Sequence, residues 1–457
     1  MEKKKSRKSN GQSFVPMEVV NPNAAGIDVG DTIHAVAVPK GRDDNSVLTF
    51  GTMNCDLKLI VEWLDKCQVD TVALESTGVY WKPLFSYLTQ NGFEVYLVNA
   101  RHVRNVTGKK SDQSDAEWLQ QLHSCGLVKS SYLPEDQQDS LRSLVRYRRT
   151  LTEDSSRCVL RMQKALELMN IKIHTVISDI VGKTGTAIVQ AIINGERNSI
   201  NFLPLIDGRI KADHVSITKS LEGNWRDEHL YMLEDNYKCY QFYLERISSC
   251  DKAIEEQLEK YSANQNDGEI IETVSTTPKP KMRAKKINRN TPLFDVRKFL
   301  KNIHGVDVLN IYGISDIGAL EILAETGTDM SKWKNEKHFV SWLNLCPNNK
   351  ISGGKLISSM LMKKKPNQAS QSFRMAANAI QRSDNWLGDY FRRMKSKGGN
   401  RYAIVATANK IATIYYKMIS SKKEFNPIDL QQYQEQRKSA KIAYLERKLI
   451  QLKSDVA

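Results

Sequence analysis

Four carboxylates in the first quarter of the chain have types and spacings that could hold metal ions. Asp28 interrupts an apolar run at residues 24–30, and Glu75 ends a second apolar run. Asp112 and Asp115 lie three residues apart where a helix is expected to begin, so they share one helix face. Carboxylates near a core are costly without a counter-ion, and hard oxygen ligands suit Mg²⁺ or Mn²⁺. Two such ions can hold the attacking and leaving oxygens of a phosphodiester.

Each acid taken singly has a simpler interpretation. Asp112 could merely favour the dipole of the helix that it begins, with Ser111 or Ser114 as the cap. The segment at residues 26–32 is also similar to the first phosphate-binding loop of actin-like and sugar-kinase ATPases. The chain has no convincing second Asp-x-Gly-Thr loop, and such ATPases do not need Asp-x-x-Asp-Ala on a later helix. The set of four acids therefore favours a metal site.

A Ser-Gly-Gly sequence in a polar segment offers a second kind of chemistry. In the sequence Lys-Ile-Ser-Gly-Gly-Lys at residues 350–355, Gly353 and Gly354 would let a phosphate backbone approach the peptide closely. Lys355 could offset negative charge on a phosphate under attack, and Ser352 could then be the nucleophile. The same sequence is ordinarily a turn, so the motif alone is weak.

The chain is long and strongly basic, which indicates the kind of partner it binds. Its 457 residues predict about three domains, and 40% hydrophobic residues suffice for buried cores. The 67 Lys and Arg against 52 Asp and Glu give a formal charge of +15 at pH 7. Such an excess favours a polyanionic partner, nucleic acid first. The residues predicted to contact nucleic acid are Arg101, Arg104, Lys109, Lys110, Arg142, Arg146, Arg149, Gly353, Gly354, Lys355, Lys363 and Lys364.

The cysteines and the hydropathy pattern predict a cytoplasmic protein. The seven cysteines are scattered without Cys-x-x-Cys spacing, and the eight histidines form no zinc-like cluster. The charged N-terminus has no apolar segment behind it, as a signal peptide would. No apolar run approaches membrane-spanning length.

Hydrophobic periodicity predicts an α/β domain at residues 22–134. Three short strands come first, at residues 24–30, 32–38 and 47–53, and strand and helix signals alternate after them. Three antiparallel strands followed by this alternation are typical of an RNase H-like layer, whose helices cover a mixed sheet.

The remainder is predicted to be mainly helical. Residues 135–261 form two long amphipathic segments joined by a middle section, which suggests an antiparallel coiled-coil hairpin with a structural or oligomeric role. Residues 262–294 have few apolar side chains and are predicted to be a linker. A mainly helical domain is predicted at residues 295–420, a final polar helix at 421–457, and a disordered basic tail at 1–21.

Two helical segments carry both a functional and a structural interpretation. The arginines at 142, 146 and 149 could bind nucleic-acid backbone, or they could form interhelical ion pairs on a solvated coiled-coil face. At residues 309–323, a Gly-Ile turn between two apolar segments suggests a helix-hairpin-helix, whose turn amides can grip a DNA phosphate. Simple packing of two helices explains that pattern about as well.

Together these residues resemble one family, the DEDD-type transposases of bacterial insertion sequences, which are described as RNA-bridged serine recombinases. Asp28 in Gly-Ile-Asp-Val-Gly matches the first acid of the family, and Glu75 in Leu-Glu-Ser-Thr-Gly matches the second. Asp112 and Asp115 match its Asp-x-x-Asp-Ala pair, and Ser352 in Ser-Gly-Gly-Lys matches its serine motif.

The resemblance covers about residues 22–420 and implies both a fold and an activity. The implied fold is a RuvC-like N-terminal domain, an α-helical coiled-coil insertion and a mainly α-helical C-terminal transposase domain. The implied activity is the cutting and rejoining of DNA during transposition. Ser352 would attack a phosphodiester and hold the DNA as a phosphoserine ester, while the four acids hold Mg²⁺ or Mn²⁺. Because Ile351 stands where the family often has a further serine, this role falls on Ser352 alone.

The resemblance also implies partners. These are donor and target DNA, a structured guide RNA encoded by the element, and further copies of the chain in a dimer or tetramer. Active sites would combine the acidic domain of one subunit with the serine domain of another. The protein would act in the bacterial cytoplasm, in association with the nucleoid. Two alternatives remain open: a hydrolytic Holliday-junction-type nuclease that needs only the acids and water, and a non-catalytic nucleic-acid scaffold. A covalent protein–DNA adduct would distinguish them from the recombinase.

Overall fold

The structure is a computed structural model that describes residues 18–76, 78–99, 112–263, 290–362, 367–427 and 429–454. Most of the predicted basic tail and of the predicted linker lies outside the described residues. The chain divides into two compact units, Met1–Leu133 and Pro134–Ala457.

The first unit is built on a five-stranded mixed sheet in the order β3-β2-β1-β4-β5. A tight turn in which the Gly30 amide donates to the Ile33 carbonyl reverses the chain between β1 and β2, and the chain reverses again between β2 and β3, so these three strands run antiparallel. β4 and β5 then lie parallel to β1 and to each other. The strands are β1 (Ala24–Val29), β2 (His34–Ala37), β3 (Val47–Phe50), β4 (Thr71–Glu75) and β5 (Glu94–Val98). The predicted mixed α/β layer is confirmed and is compatible with a RuvC-like fold.

Helices cover both faces of this sheet because its central strands are apolar on both sides. Ile27 and Leu74 pack with the helices α1 (Asn54–Lys66) and α2 (Trp81–Gln90) on one face. The helix α3 (Asp112–Ser124) covers the other face, where small residues of the strands meet it. Full burial of a leucine or isoleucine side chain stabilises the fold by roughly 1.5–3 kcal/mol, so the α1/α2 layer is the main core of this unit.

Two long antiparallel helices form the frame of the second unit. The helices are α4 (Asp136–Leu168) and α7 (Asp227–Ala263). Between them the chain forms α5 (Lys183–Ile193), α6 (His214–Ser220) and two short 3₁₀ helices, which close a separate apolar core at the far end of the pair. The two long helices confirm the predicted helical hairpin. Coiled-coil packing between them stays a prediction.

The remaining helices pack against the near end of this pair in one shared core. They are α8 (Val296–His304), α9 (Asp316–Thr326), α10 (Glu336–Trp342), α11 (Gln368–Ala379), α12 (Trp386–Ser421) and α13 (Leu430–Ser454). A two-stranded antiparallel ribbon of β6 (Asn348–Ser352) and β7 (Lys355–Met360) lies between α10 and α11 in the chain. This ribbon was not predicted. The prediction of an α-helix before the Gly-Ile turn of the suggested helix-hairpin-helix is wrong. That position has only a 3₁₀ turn at Val308–Asn310, which the Asp307 side chain caps.

One buried ion pair fixes α4 against α7. The Arg148 guanidinium donates through Nε and Nη2 to the Asp251 carboxylate, and both side chains are only 2% exposed. The backbone amide of Leu293 also donates to Asp251 Oδ2 at 3.2 Å. A buried charge is tolerated only when its partner and its hydrogen bonds are complete, so this pair sets the register of the two helices.

Replacing Asp251 with alanine leaves the Arg148 guanidinium buried without its carboxylate. We expect Asp251→Ala to lower the free energy of unfolding by about 3–5 kcal/mol, measured by denaturant titration followed by circular dichroism. The control Asp154→Ala removes an exposed pair with Arg157 and should cost at most about 1 kcal/mol. Equal effects of the two substitutions would contradict the role given to the buried pair.

Candidate active site

Two of the predicted acids lie at the carboxyl ends of adjacent parallel strands. Ile27 of β1 pairs with Leu74 of β4, so Asp28 and Glu75 occupy the next position along each strand. Both are half-buried. Because side chains alternate along a strand, they share the sheet face that α3 covers, opposite to the face of Ile27 and Leu74.

The direction of α3 brings its first turn to the same corner of the sheet. Near the amino end of β1, Gln120 Nε2 donates to the Ala24 carbonyl at 3.1 Å. Two residues further along β1, a Cβ on Gly26 would lie 2.6 Å from the Ala116 carbonyl oxygen. Four helical residues and two strand residues both advance by about 6 to 7 Å. One more such step would bring the first turn of α3 level with Asp28.

The predicted acids lie at the ends of β1 and β4 and in the first turn of α3. The helix begins at Asp112, and Asp115 in its first turn is half-buried. The side chain of Asp112 lies outside the described part of the structure. Among the described side chains, no group of three or more Asp, Glu, His or Cys is close enough to hold a metal ion. The convergence of the four carboxylates thus stays a prediction.

The donor chemistry of this corner suits a hard divalent ion. Asp28, Glu75 and Asp115 offer only carboxylate oxygens, and oxygen donors are the ligands of Mg²⁺ and Mn²⁺. The histidine nearest in sequence, His34, pairs with Val29 and therefore lies on the opposite sheet face from Asp28. His123 lies at the other end of α3, where its ring contacts the Thr71 hydroxyl at 2.9 Å. Burial lowers the pKa of His123. The residues present therefore fit an all-oxygen site.

Gly26 allows α3 to approach β1, and the pattern of the four acids does not point to it. A Cβ at this position would lie 2.3 Å from the backbone nitrogen of Gln120, a separation that real side chains do not show. The absence of a side chain at Gly26 thus permits α3 to lie directly on β1. The sequence signal was present in the glycine two residues before Asp28 on the same strand face.

Ser352 lies at the tip of the exposed ribbon. Gly353 and Gly354 connect β6 to β7 with φ of 55° and 75°, a two-residue hairpin turn that requires left-handed backbone at both positions. Ser352 pairs directly with Lys355 across the ribbon, and all four residues are exposed. A Cβ at either glycine would meet no atom within 4 Å, so the backbone of the tip is open to a large ligand.

The predicted nucleic-acid residues fall into three groups, one of which is Gly353, Gly354 and Lys355 of the ribbon. Six lie outside the described residues: Arg101, Arg104, Lys109, Lys110, Lys363 and Lys364. The arginines of α4 are described and have partners within their own unit. Arg146 donates through Nε and Nη2 to Glu325 of α9 at 2.7 and 3.0 Å, and Arg142 Nε lies 3.2 Å from the same carboxylate. In this structure the guanidinium groups of Arg142 and Arg146 are thus engaged in ion pairs between helices. Their role in binding nucleic acid stays a prediction.

Arg149 has weaker partners and borders an open groove. Its Nε donates to the exposed Glu153 at 2.8 Å, and its Nη1 is 3.7 Å from Glu321. With Arg146 it lines a cavity of about 720 Å³ beside Asn367, the residue that caps α11. Of the three arginines, Arg149 thus has the most weakly held partners, although the Arg146 side chain is more exposed (50% against 36%).

Comparison with known proteins identifies the chain's relatives. Residues 25–171 match the family model of the IS110 DEDD transposases, and residues 307–392 match that of the transposase IS116/IS110/IS902 family. The first match contains the four acids, the second contains Ser352, and together they cover about half of the chain. The chain belongs to the IS110 family of DEDD transposases.

Membership of this family makes DNA the substrate and transposition the process. DEDD transposases generally use divalent metal ions, in agreement with the all-oxygen donor set at the corner of the sheet. No curated protein matches the chain. Within the described residues, the transposase has no helix with the length and hydropathy needed to cross a bilayer.

Substitution of Gly26 should disturb the acidic corner without removing any acid. We expect Gly26→Ala to push α3 away from β1, to lower the melting temperature, and to reduce DNA cleavage at least tenfold in the protein that remains folded. The control Gly208→Ala adds a methyl group where no atom lies within 4 Å and should change neither property. A Gly26→Ala protein with normal cleavage would show that the close contact is not needed for the site.

Proposed function

We propose that this IS110-family transposase cuts and rejoins DNA through a covalent phosphoserine intermediate formed by Ser352. The observation that carries the proposal is the open two-glycine hairpin, which presents the Ser352 hydroxyl beside Lys355 at an exposed tip. A nucleophile that must reach the backbone of duplex DNA has to stand clear of the surrounding protein surface. The ribbon supplies that projection.

The proposed step exchanges one ester for another. Ser352 Oγ forms a bond to phosphorus, and the bond from phosphorus to one deoxyribose oxygen breaks. The serine proton passes to water, and the departing deoxyribose oxygen takes a proton from water. Lys355 offsets the negative charge that builds on the phosphate during attack. The phosphoserine ester conserves the bond energy, so a second DNA hydroxyl can displace Ser352 and rejoin the strand without ATP.

Asp28, Glu75, Asp112 and Asp115 would hold Mg²⁺ or Mn²⁺ in the proposed enzyme. A bound ion would supply positive charge to the phosphate under attack. The acids themselves need that ion, because four carboxylates gathered at one corner repel each other. Support comes from the shared sheet face of Asp28 and Glu75 and from the level of the first turn of α3.

Further proposals concern partners. A structured guide RNA encoded by the element would pair with donor and target DNA, and a dimer or tetramer would bring acidic and serine domains together. The net charge of +15 supports binding to nucleic acid of either kind. The hydrolytic nuclease differs in one respect: it would use the same acids with water and form no covalent adduct.

Trapping the adduct tests the proposed function. We expect the full chain, incubated with its DNA and the non-coding RNA transcribed beside its gene, to yield a denaturant-resistant protein–DNA adduct. Ser352→Ala should abolish the adduct and recombination while retaining nucleic-acid binding, because only the attacking oxygen is removed. An active Ser352→Ala protein would favour the hydrolytic nuclease.

Asp112→Asn serves as the companion variant in the same experiment. It removes one charge from the acidic corner and leaves the ribbon unchanged. Strand exchange should be lost, and the circular dichroism spectrum should match that of the parent protein. Normal strand exchange by Asp112→Asn would exclude this acid from the site.

Salt dependence tests nucleic-acid contact by α4. If Arg149 neutralises a phosphate, Arg149→Gln should reduce the slope of log affinity for RNA against log salt concentration by about one. The control Lys172→Gln removes an exposed charge that is paired with Glu167 near the far end of the hairpin. Identical slopes for the parent and Arg149→Gln would leave only the ion-pairing role for this arginine.

A further inference from the structure

The strand register of the ribbon places a second lysine on the same face as Ser352. Ser352 pairs with Lys355, and Lys350 pairs with Ser358. The register shifts between Lys350 and Ile351, where β6 advances by one residue while β7 advances by two. The additional residue is therefore Ile357 of β7, and β6 keeps its ordinary alternation. Lys350 and Ser352, two residues apart on β6, consequently share one face.

The opposite face of the ribbon has a different chemical character. There Ile351 pairs with Leu356, and Asn349 pairs with Ser359, whose hydroxyl donates to the Asn349 side chain at 2.8 Å. The face of Ser352 instead carries the two lysines, with Ser358 across from Lys350. The ribbon thus separates an apolar side near its tip from a cationic side, and the hydroxyl of Ser352 belongs to the cationic side.

The two lysines flank Ser352 from different directions. Lys355 lies directly across the ribbon, where paired Cβ atoms are about 4.5–5.5 Å apart. Lys350 lies along the same strand at about 6.6 Å, the advance of two strand residues. Both are exposed, and within the described part of the chain neither forms an ion pair with a carboxylate. Their charges are therefore available to an anion bound at Ser352.

We propose that Lys350 is a second cationic contact of the scissile phosphate, on the side of Ser352 that Lys355 does not reach. The proposal rests on the proposed function of Ser352. Attack on a phosphodiester adds negative charge to its non-bridging oxygens, and ammonium groups aimed at those oxygens stabilise that charge selectively. One lysine across the ribbon and one along the strand can each contact a different non-bridging oxygen.

Lys350→Met tests this contact, because methionine keeps an unbranched side chain and removes the charge. We expect the single-turnover rate of adduct formation to fall about 100- to 1,000-fold, the usual effect of losing one such donor. Lys350→Arg should retain most of the rate. The control Lys337→Met removes an exposed lysine at the start of α10 and should leave the rate unchanged.

A substrate with a methylphosphonate at the scissile position separates contact from structure. This linkage replaces one charged non-bridging oxygen with a neutral methyl group. In the stereoisomer that lacks the oxygen facing Lys350, the parent protein and Lys350→Met should react at similar rates. A charge contact predicts that the rate difference between parent and variant disappears on this substrate, because the Lys350→Met substitution and the methylphosphonate remove the same interaction. An equal slowing by Lys350→Met on the phosphodiester and on both methylphosphonate isomers would overturn the proposal.

The controls separate failure of this inference from failure of the proposed function. If Ser352→Ala still forms the adduct, or the parent protein forms none, the phosphoserine mechanism itself is wrong. If Ser352→Ala loses the adduct while Lys350→Met behaves like Lys337→Met, the mechanism stands and Lys350 has no part in it. The exposed position of Lys350 makes misfolding an unsuitable explanation for a slow variant, and circular dichroism checks this.

Discussion

The second unit depends on the buried pair between Arg148 and Asp251. Because each of these charges is buried, each needs the other, and α4 and α7 can meet in only one register. The positions of helices that pack on α4 therefore depend on how α4 is aligned with α7. α9 packs on α4 through Glu325, which is nearly buried and receives both Arg142 and Arg146. Charge pairing therefore contributes to the arrangement of these helices together with their shared apolar core.

The first unit brings the ends of two parallel strands and the start of a helix to one edge of its sheet. Parallel pairing of β1 with β4 puts Asp28 and Glu75 at neighbouring strand ends, where both stay half-buried. The missing side chain at Gly26 lets α3 lie close enough for its first turn to reach the same level. The sheet register and the contact of α3 with β1 together set the positions of these elements, which no single acidic motif specifies.

Local patterns predicted the first unit well because its strands and helices carry clear hydrophobic periodicity. They did not predict the ribbon, since β6 and β7 are exposed and mix Asn, Lys and Ser with isolated apolar residues. Local patterns also could not predict which of the four arginines at residues 142–149 would be buried and which would form ion pairs at the surface. Arg148 is buried because it falls on the apolar stripe of Leu141, Val145 and Leu151, whereas Arg146 finds Glu325, 179 positions away, only in the folded chain. The position of the Asp112 side chain among the acids requires tertiary detail that spacing does not contain.

The tight contact at Gly26 has a consequence for how copies of an insertion sequence lose function. A copy that keeps all four proposed metal ligands and the proposed serine nucleophile would still have its first unit disturbed by a substitution at position 26, because any side chain there would enter the backbone of α3. A count of intact catalytic residues would then overestimate the number of working copies in a genome. Inspecting the glycine two positions before the first aspartate gives an additional criterion for recognising decayed copies from sequence alone.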